Sequence, residues 1–296
     1  MVLPATPPTA APTPGSCRIC GACSVSEFPT DYAAAVWRCR DCDARFVYPI
    51  PTREELEERY EAEHSSGKWQ ALFDQTPVVE TVRRAKLFTE IAGGPGRLLD
   101  VGFGDARFLR AARLEGWDTW GLELAESAAQ SASAHHRVVV GELGALRFGP
   151  RFDAITFWDV LEHVPGPIEM VREAGRLLRP GGVLGMTMPN VHGAESLTQG
   201  GGWKYYDLDR YGHLFHLGPD HLSRLLSDAG LETLAVRTSG SIDLRNLLDG
   251  AGDRWGARIG RQVLDRVSGI VARAATPLKR GNTLMVVGWK PDANRA

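Results

Sequence analysis

The sequence predicts an α/β fold built on a mostly parallel sheet, preceded by a small four-cysteine module. Three observations carry that prediction. Residues 97–109, Arg-Leu-Leu-Asp-Val-Gly-Phe-Gly-Asp-Ala-Arg-Phe-Leu, run from a short apolar segment through two glycines into a helical pattern. A second apolar run, 117–122, ends in Glu123, about 20 residues after Gly102, where a Rossmann-type site sets an acid against ribose hydroxyls. Near the start of the chain, Cys17-x2-Cys20 and Cys39-x2-Cys42 form two pairs.

Residues 1–16 are rich in Pro, Ala and Thr, bury little, and read as a disordered tail. The cysteine pairs that follow have the spacing of a zinc ribbon, in which two tight turns each present two sulfurs to one tetrahedral ion. Gly21 follows the first pair, and Val36-Trp37 and Phe46-Val47-Tyr48 supply short strands around the site. Four thiolates leave no open coordination position, so such a zinc is structural. Four reduced buried thiols, or a redox-active pair, are the alternatives. Cys23 is a bystander.

Thr52-Arg53-Glu54-Glu55 is a capping box that opens a helix to about residue 64, and Ser65-Ser66-Gly67 ends it. A second helix over 78–91 carries Val79, Val82, Leu87 and Ile91 on one apolar stripe, and Gly93-Gly94-Pro95-Gly96 leads to the first strand. That strand, 98–101, turns through Gly102-Phe103-Gly104 into a helix with Asp105 as its expected N-cap. Further strands are expected over 117–122, 138–140, 152–158, 183–188, 231–236 and 283–289. Between the last two, Ile259, Val263, Val267 and Ile270 recur at helical spacing beside many arginines. This amphipathic helix is expected to pack on the domain, with a membrane surface as the alternative.

The 296 residues are long enough to bury a full core. The 34 basic and 36 acidic side chains leave a net charge of −2 with no long basic run, so a nucleic-acid partner is not implied. No apolar stretch reaches the roughly 18 residues that span a bilayer. No basic residue precedes an apolar core at the N-terminus, so no secretory signal is expected and the cytoplasm is the default.

The motifs LLDVGFGDARFL, GLEL, FDAITFWDVLEHVPGP and LLRPGGVLGMTMPN resemble, in order, those of class I S-adenosylmethionine-dependent methyltransferases. The likeness is to the subgroup of ubiquinone-type O-methyltransferases and many sugar and natural-product methyltransferases. It covers about residues 87–190 and, more loosely, the C-terminal part. The cysteine module followed by FVYPIPTREELEERY is similar to a zinc-binding leader on a subset of these enzymes. The resemblance implies a zinc-ribbon-like module over 17–50 and a helical linker or lid over 51–94. A seven-stranded Rossmann-like methyltransferase domain then spans 95–296, with an acceptor-side insert at about 191–230.

It also implies roles for single residues. Gly102 and Gly104 let the methionine tail of S-adenosylmethionine approach, and Asp100 steadies the turn behind them. Glu123 accepts from both ribose hydroxyls, Leu124 covers one adenine face, and Glu142 accepts from the adenine amino group. Trp158 reaches the carboxyl edge of the sheet with Asp159. Phe103 and Ala106 depart from the family pattern, standing where a small residue and a third glycine are common. A dinucleotide site is the rival, but the turn lacks G-x-G-x-x-G. Tyr60, Trp69 and Phe73 are candidates for closing over the cofactor.

Methyl transfer to a hydroxyl needs alignment and removal of one proton, a task suited to histidine. His163 lies in the EHV motif. His213 and His216 lie in GHLFHLGPDHLSRLLSDAGL, which resembles the family's acceptor wall, and His221 beyond them is expected at the surface. Gly201, Gly202, Trp203, Lys204, Tyr205 and Tyr206 suggest a mobile lid over a small molecule. The expectation is a methyltransferase acting on a hydroxyl oxygen of a small molecule, a sugar or secondary metabolite, with structural zinc. The alternatives are carbon methylation of a nucleotide sugar, or a non-catalytic module whose ribbon recruits a partner.

Overall fold

The computed structural model describes residues 12–68, 78–146, 152–239 and 279–292. Trp69, Phe73 and the apolar positions Ile259, Val263, Val267 and Ile270 lie outside the described residues, as does most of the expected N-terminal tail. No helix among the described residues is long and apolar enough to cross a membrane.

The chain opens with three short strands, β1 (Val25–Phe28), β2 (Val36–Cys39) and β3 (Arg45–Val47). Helix α1 (Arg53–Ser65) follows, its first turn closed by the expected capping box: the Glu55 amide donates to Thr52 Oγ1 and the Thr52 amide to Glu55 Oε2. Helix α2 (Val78–Ala92) buries Thr81, Ala85 and Phe88 rather than the expected stripe, and Val79 and Val82 are exposed. What decides its roll is Phe88, whose ring lies over Gly185, where a Cβ would approach within 2.6 Å.

Next come β4 (Arg97–Val101), α3 (Arg107–Leu114), β5 (Asp118–Glu123), α4 (Glu126–Ala132) and β6 (Arg137–Val140). Strand β7 (Phe152–Trp158), helix α5 (Pro167–Leu177) and strand β8 (Leu178–Pro189) complete the parallel part. Two short helices, α6 (Ala194–Gln199) and α7 (Leu208–Tyr211), precede β9 (Phe215–His216) and α8 (Pro219–Asp228). The chain ends on β10 (Glu232–Ser239) and β11 (Thr283–Trp289).

Seven strands form one sheet in the order β10-β11-β8-β7-β4-β5-β6. Its members pair in parallel except β11, which runs antiparallel to both β8 and β10. The chain reverses direction across β4, with β5 on one side and β7 on the other, the switch point at whose carboxyl edge such sheets bind ligands. Leu99, Val101, Leu122, Ile155, Phe157 and Leu184 fill one core, and Leu98, Phe88, Phe108, Leu109 and Val183 fill another. Burying each such side chain contributes about 1.5–3 kcal/mol.

A second sheet, β1-β2-β3-β9, is antiparallel throughout. Its fourth strand comes from the far side of the chain, with Arg45 opposite His216 and Phe46 opposite Phe215. His221 is not at the surface. It is 3% exposed, its Nδ1 accepts from the Gly218 amide at 2.8 Å, and its Nε2 donates to the Cys42 carbonyl at 2.6 Å. His192 adds a second tie through Nε2, 3.1 Å from Asp43 Oδ2. The cysteine module is thus tied to the rest of the chain by backbone pairing and two imidazoles.

The turn after β4 explains both departures noted in the sequence. Ala106, not Asp105, occupies the N-cap of α3, in the left-handed conformation (φ 59°) that glycine adopts without strain. Asp105 still serves the helix start, its Oδ1 accepting from the Arg107 amide at 3.0 Å. Phe103 is buried and seated on Gly121 of β5, where an added Cβ would meet its ring at 2.5 Å. Gly121→Ala is therefore expected to cost about 1–3 kcal/mol of stability through overpacking. Phe103→Leu in that background should recover part of the loss, both read from urea midpoints.

Candidate active site

Glu123 closes β5 at the carboxyl edge and is 3% exposed. Its Oε2 accepts from the Gly104 amide at 3.0 Å, and its Oε1 accepts from the Leu124 and Ala125 amides at 2.7 and 3.3 Å. The glycine turn, the strand end and the next helix therefore all aim backbone donors at one carboxylate. A fourth donor crosses from α1, where the Tyr60 hydroxyl lies 2.5 Å from Oε1. Burial and the adjacent carboxylate push the Tyr60 phenol up. Of the three aromatic lid candidates, Tyr60 is the one the described residues place on the site.

Behind the turn, Asp100 is 1% exposed and accepts from Thr156 Oγ1 at 2.7 Å. Burial pushes its carboxyl up to about 8, against the pull of the Thr156 hydroxyl and the Arg84 charge. Gly102 has φ +67°, and a Cβ there would meet Val160 Cγ2 at 2.9 Å, so a side chain would disturb the turn. Leu124 is half-exposed beside Glu123. Glu142 stands beyond the end of β6 and pairs with the Arg53 guanidinium at 3.0 Å, so α1 engages its carboxylate. Trp158 packs edge-on against Phe108 and Phe88, with ring centroids 4.8 and 5.6 Å apart and Arg84 over its face at 5.3 Å. Sequence reasoning missed Thr156 and Arg84, because neither lies in a glycine turn or at a strand end.

This arrangement suits the ligand the motifs imply. A buried carboxylate held by backbone amides can accept from vicinal ribose hydroxyls, and a glycine turn admits close backbone approach.

The three candidate histidines sit on one side of the same edge. His163 ends a short 3-10 turn, Leu161–His163, that follows β7. Its Nδ1–H donates to the Gly212 carbonyl at 3.2 Å, which leaves the lone pair on Nε2. The His213 ring stands edge-on to it, centroids 4.7 Å apart, and stacks on Tyr205 at 5.1 Å. His216 is 6.3 Å farther on, against Tyr206 and Trp203. Burial pushes His163 down to about 4, holds His213 well below its ordinary value, and pushes His216 to about 3 with help from Arg45. All three imidazoles are neutral at neutral pH.

Around them, polar atoms are left unpaired. The described residues hold twelve buried side-chain nitrogens and oxygens without a hydrogen-bond partner. Six lie in this block: Arg45 Nε, both oxygens of Glu162, Trp203 Nε1, His213 Nδ1 and His216 Nε2. Arg45 and Glu162 escaped the sequence reading. Arg45 looks like an exposed strand residue until β9 covers it, and Glu162 reads as part of a motif.

Where β2 turns into β3, the Sγ atoms of Cys17 and Cys42 are 3.7 Å apart and those of Cys20 and Cys39 3.6 Å apart. All four lie within 4.8 Å of one another. Tetrahedral thiolates at a zinc–sulfur distance of about 2.3 Å stand about 3.8 Å apart, so the cluster has the right size. Each knuckle turns through a left-handed residue after its second cysteine, Gly21 (φ 77°) in the first and Asp43 (φ 65°) in the second. The Ile19 and Cys20 amides point at Cys17 Sγ, at 3.4 and 3.5 Å. Cys23 is exposed and outside the cluster.

The profile of a methyltransferase domain family matches residues 77–236, which span the glycine turn, Glu123 and the histidines. The ubiquinone biosynthesis O-methyltransferase of Alkalilimnicola ehrlichii is 35% identical over 95 residues, 29% of this chain and 38% of the relative. That of Pseudomonas paraeruginosa is 30% identical over 170 residues, 50% of this chain and 70% of the relative. This chain thus spans little more than a third of the first relative's length. A SAM-dependent methyltransferase from Archaeoglobus fulgidus superposes with a TM-score of 0.54 at 17% identity, over 75% of this chain and 99% of that one. The chain belongs to this methyltransferase domain family.

Proposed function

We propose that the enzyme methylates a hydroxyl oxygen of a small, hydroxyl-rich molecule, a sugar, glycoside or secondary metabolite. The observation that carries this reading is the block of six unpaired buried polar atoms at the acceptor edge. Donors from Arg45, Trp203 and the imidazoles, with acceptors from Glu162, fit a ligand that presents several hydroxyls. The similarity to O-methyltransferases supports oxygen as the nucleophile.

In this reading Glu123 holds the two ribose hydroxyls, Leu124 lies against the adenine, and Gly102 and Gly104 admit the methionine tail over Asp100. Trp158 walls the pocket behind them, and Glu142, engaged by Arg53, contributes at its rim. The cofactor, when bound, supplies an activated methyl on a sulfonium. The acceptor oxygen attacks that carbon in line, the carbon–sulfur bond breaks, and S-adenosylhomocysteine departs. The acceptor proton passes to a neutral imidazole among His163, His213 and His216. The sulfonium charge vanishes as an imidazolium charge appears, so the buried site carries the same charge before and after.

The cysteine cluster holds structural zinc in this reading, at Cys17, Cys20, Cys39 and Cys42. It acts on the chemistry only by fixing β3, and through it His216.

Three measurements test these assignments. S-adenosylhomocysteine titrated by calorimetry should bind the parent and bind Glu123→Ala at least ~100-fold more weakly, since two hydrogen bonds to a charged acceptor are lost. Tyr60→Phe, which removes a rival donor to Oε1, should bind at least as tightly as the parent. Absence of binding to the parent would refute the cofactor assignment. With a hydroxylated acceptor, His216→Ala should lower turnover ~100-fold or more at unchanged S-adenosylhomocysteine affinity. Full turnover in both this variant and His163→Ala would remove the histidines from the chemistry. Stripping zinc with a strong chelator should lower the melting temperature and abolish turnover, while S-adenosylhomocysteine affinity changes little.

A further inference from the structure

We infer that Glu162, His163 and His213 form a second metal site, separate from the cysteine cluster, that takes a divalent transition-metal cation at the acceptor edge. One ligand atom from each of the three lies within 4.8 Å of the others. The spacing is fixed by backbone. The Leu214 amide donates to the Glu162 carbonyl at 2.7 Å, and His163 Nδ1–H donates to the Gly212 carbonyl. These two bonds clamp the 3-10 turn after β7 against the segment that carries His213. They also leave His163 Nε2 with its lone pair, as a metal ligand requires.

The second observation is what the site lacks. Glu162 is fully buried, and neither carboxylate oxygen has a hydrogen-bond partner among the described residues. His213 is 5% exposed with Nδ1 equally unpartnered. Asp159, at the end of β7, adds a negative charge that reaches both Glu162 and His163. An unpaired carboxylate in a dry site is among the most expensive groups a fold can bury, and it is retained where it is paired or coordinates a metal.

The donor set chooses the class of ion. Two imidazole nitrogens and one carboxylate suit Mn²⁺, Fe²⁺, Co²⁺ or Zn²⁺ better than the all-oxygen shells of Mg²⁺ and Ca²⁺. Three protein ligands leave coordination positions open. The inference rests on the proposed function and deepens it. An acceptor hydroxyl bound at an open position ionises more readily, and its proton passes to His216, the imidazole outside the ligand set. The oxygen then takes the methyl, and the carbon–sulfur bond breaks to release S-adenosylhomocysteine.

The test uses the full-length protein with its cysteine cluster loaded with zinc, titrated with Mn²⁺ and, separately, with further Zn²⁺. Thiolates hold zinc far better than manganese, so Mn²⁺ reports the nitrogen and oxygen site alone. The parent should bind one equivalent of at least one of these ions. Glu162→Gln, which keeps the shape of the side chain, should bind it at least ~100-fold more weakly, as should His213→Ala. In metal-free buffer Glu162→Gln should melt no lower than the parent, since it keeps the volume and polarity of the side chain. If neither ion binds the parent beyond the cysteine cluster, or Glu162→Gln binds as the parent does, the site does not exist. S-adenosylhomocysteine titrated into the same samples separates the two readings. Intact cofactor binding without the second metal defeats the metal site alone, and metal binding without cofactor binding defeats the functional reading alone.

Discussion

The pairing of β3 with β9 is the contact on which the rest of the acceptor side depends. Two residues, Phe215 and His216, cannot stand as an isolated strand. The cysteine module, at fewer than about 40 residues, is too small to fold on a hydrophobic core alone. Each supplies what the other lacks. The module lends β9 an edge to pair with, and β9 covers Arg45 and Phe46, which would otherwise face water. The His221 bond to the Cys42 carbonyl locks the same junction from the α8 side. A metal held at the cysteines would therefore act at a distance: it would fix the knuckle, the knuckle β3, and β3 the backbone that carries His213 and His216.

The cofactor side is built on a different economy, the convergence of local backbone on Glu123. Three amides reach it because the glycine turn, the strand end and the start of the next helix meet at the sheet's switch point. No long-range packing is needed to make that geometry, only the βαβ connection. Among the described residues Tyr60, on a helix that precedes the sheet, is its long-range side-chain partner. Its hydroxyl takes up Oε1, so α1 reaches the same carboxylate as the glycine turn. Arg53 to Glu142 is a second tie from the same helix. At exposed positions such a pair contributes little.

This division explains what could be read from the sequence. The strand–glycine–helix turn, Glu123 and the cysteine pairs are local patterns, and their residues lie together in the fold. The ring of Phe103 looked anomalous until Gly121 was seen beneath it, a contact between residues 18 apart whose only trace in sequence is a glycine inside a strand. The face of α2 was misjudged because Val79 and Val82 match a helical stripe as well as Phe88 does. Only the groove at Gly185 decides between them. Strand β9, the burial of His221 and the exposure of Arg45 before β9 covers it are non-local. Periodicity carries no record of which distant segment will pair with an edge.

The acceptor edge also cannot be explained as scaffold. Leaving a buried donor or acceptor unmade costs about 1–3 kcal/mol, and more for a charged group. Six such atoms in one block come to about 6–18 kcal/mol, as large as the whole net stability of an ordinary domain, about 5–15 kcal/mol. The remaining six are spread over Trp37, Arg97, Trp120, His136, Trp158 and Ser196, one atom each, and do not form a comparable charged centre. A fold carries a concentrated deficit of this size only where something else completes the bonds. Around Glu162 and His213 the chemistry of the unmet atoms fits the cation inferred above. Around Arg45, Trp203 and His216 it calls for hydroxyls. The two demands adjoin, as they must if one ligand is to be held by its oxygens while one of them is methylated.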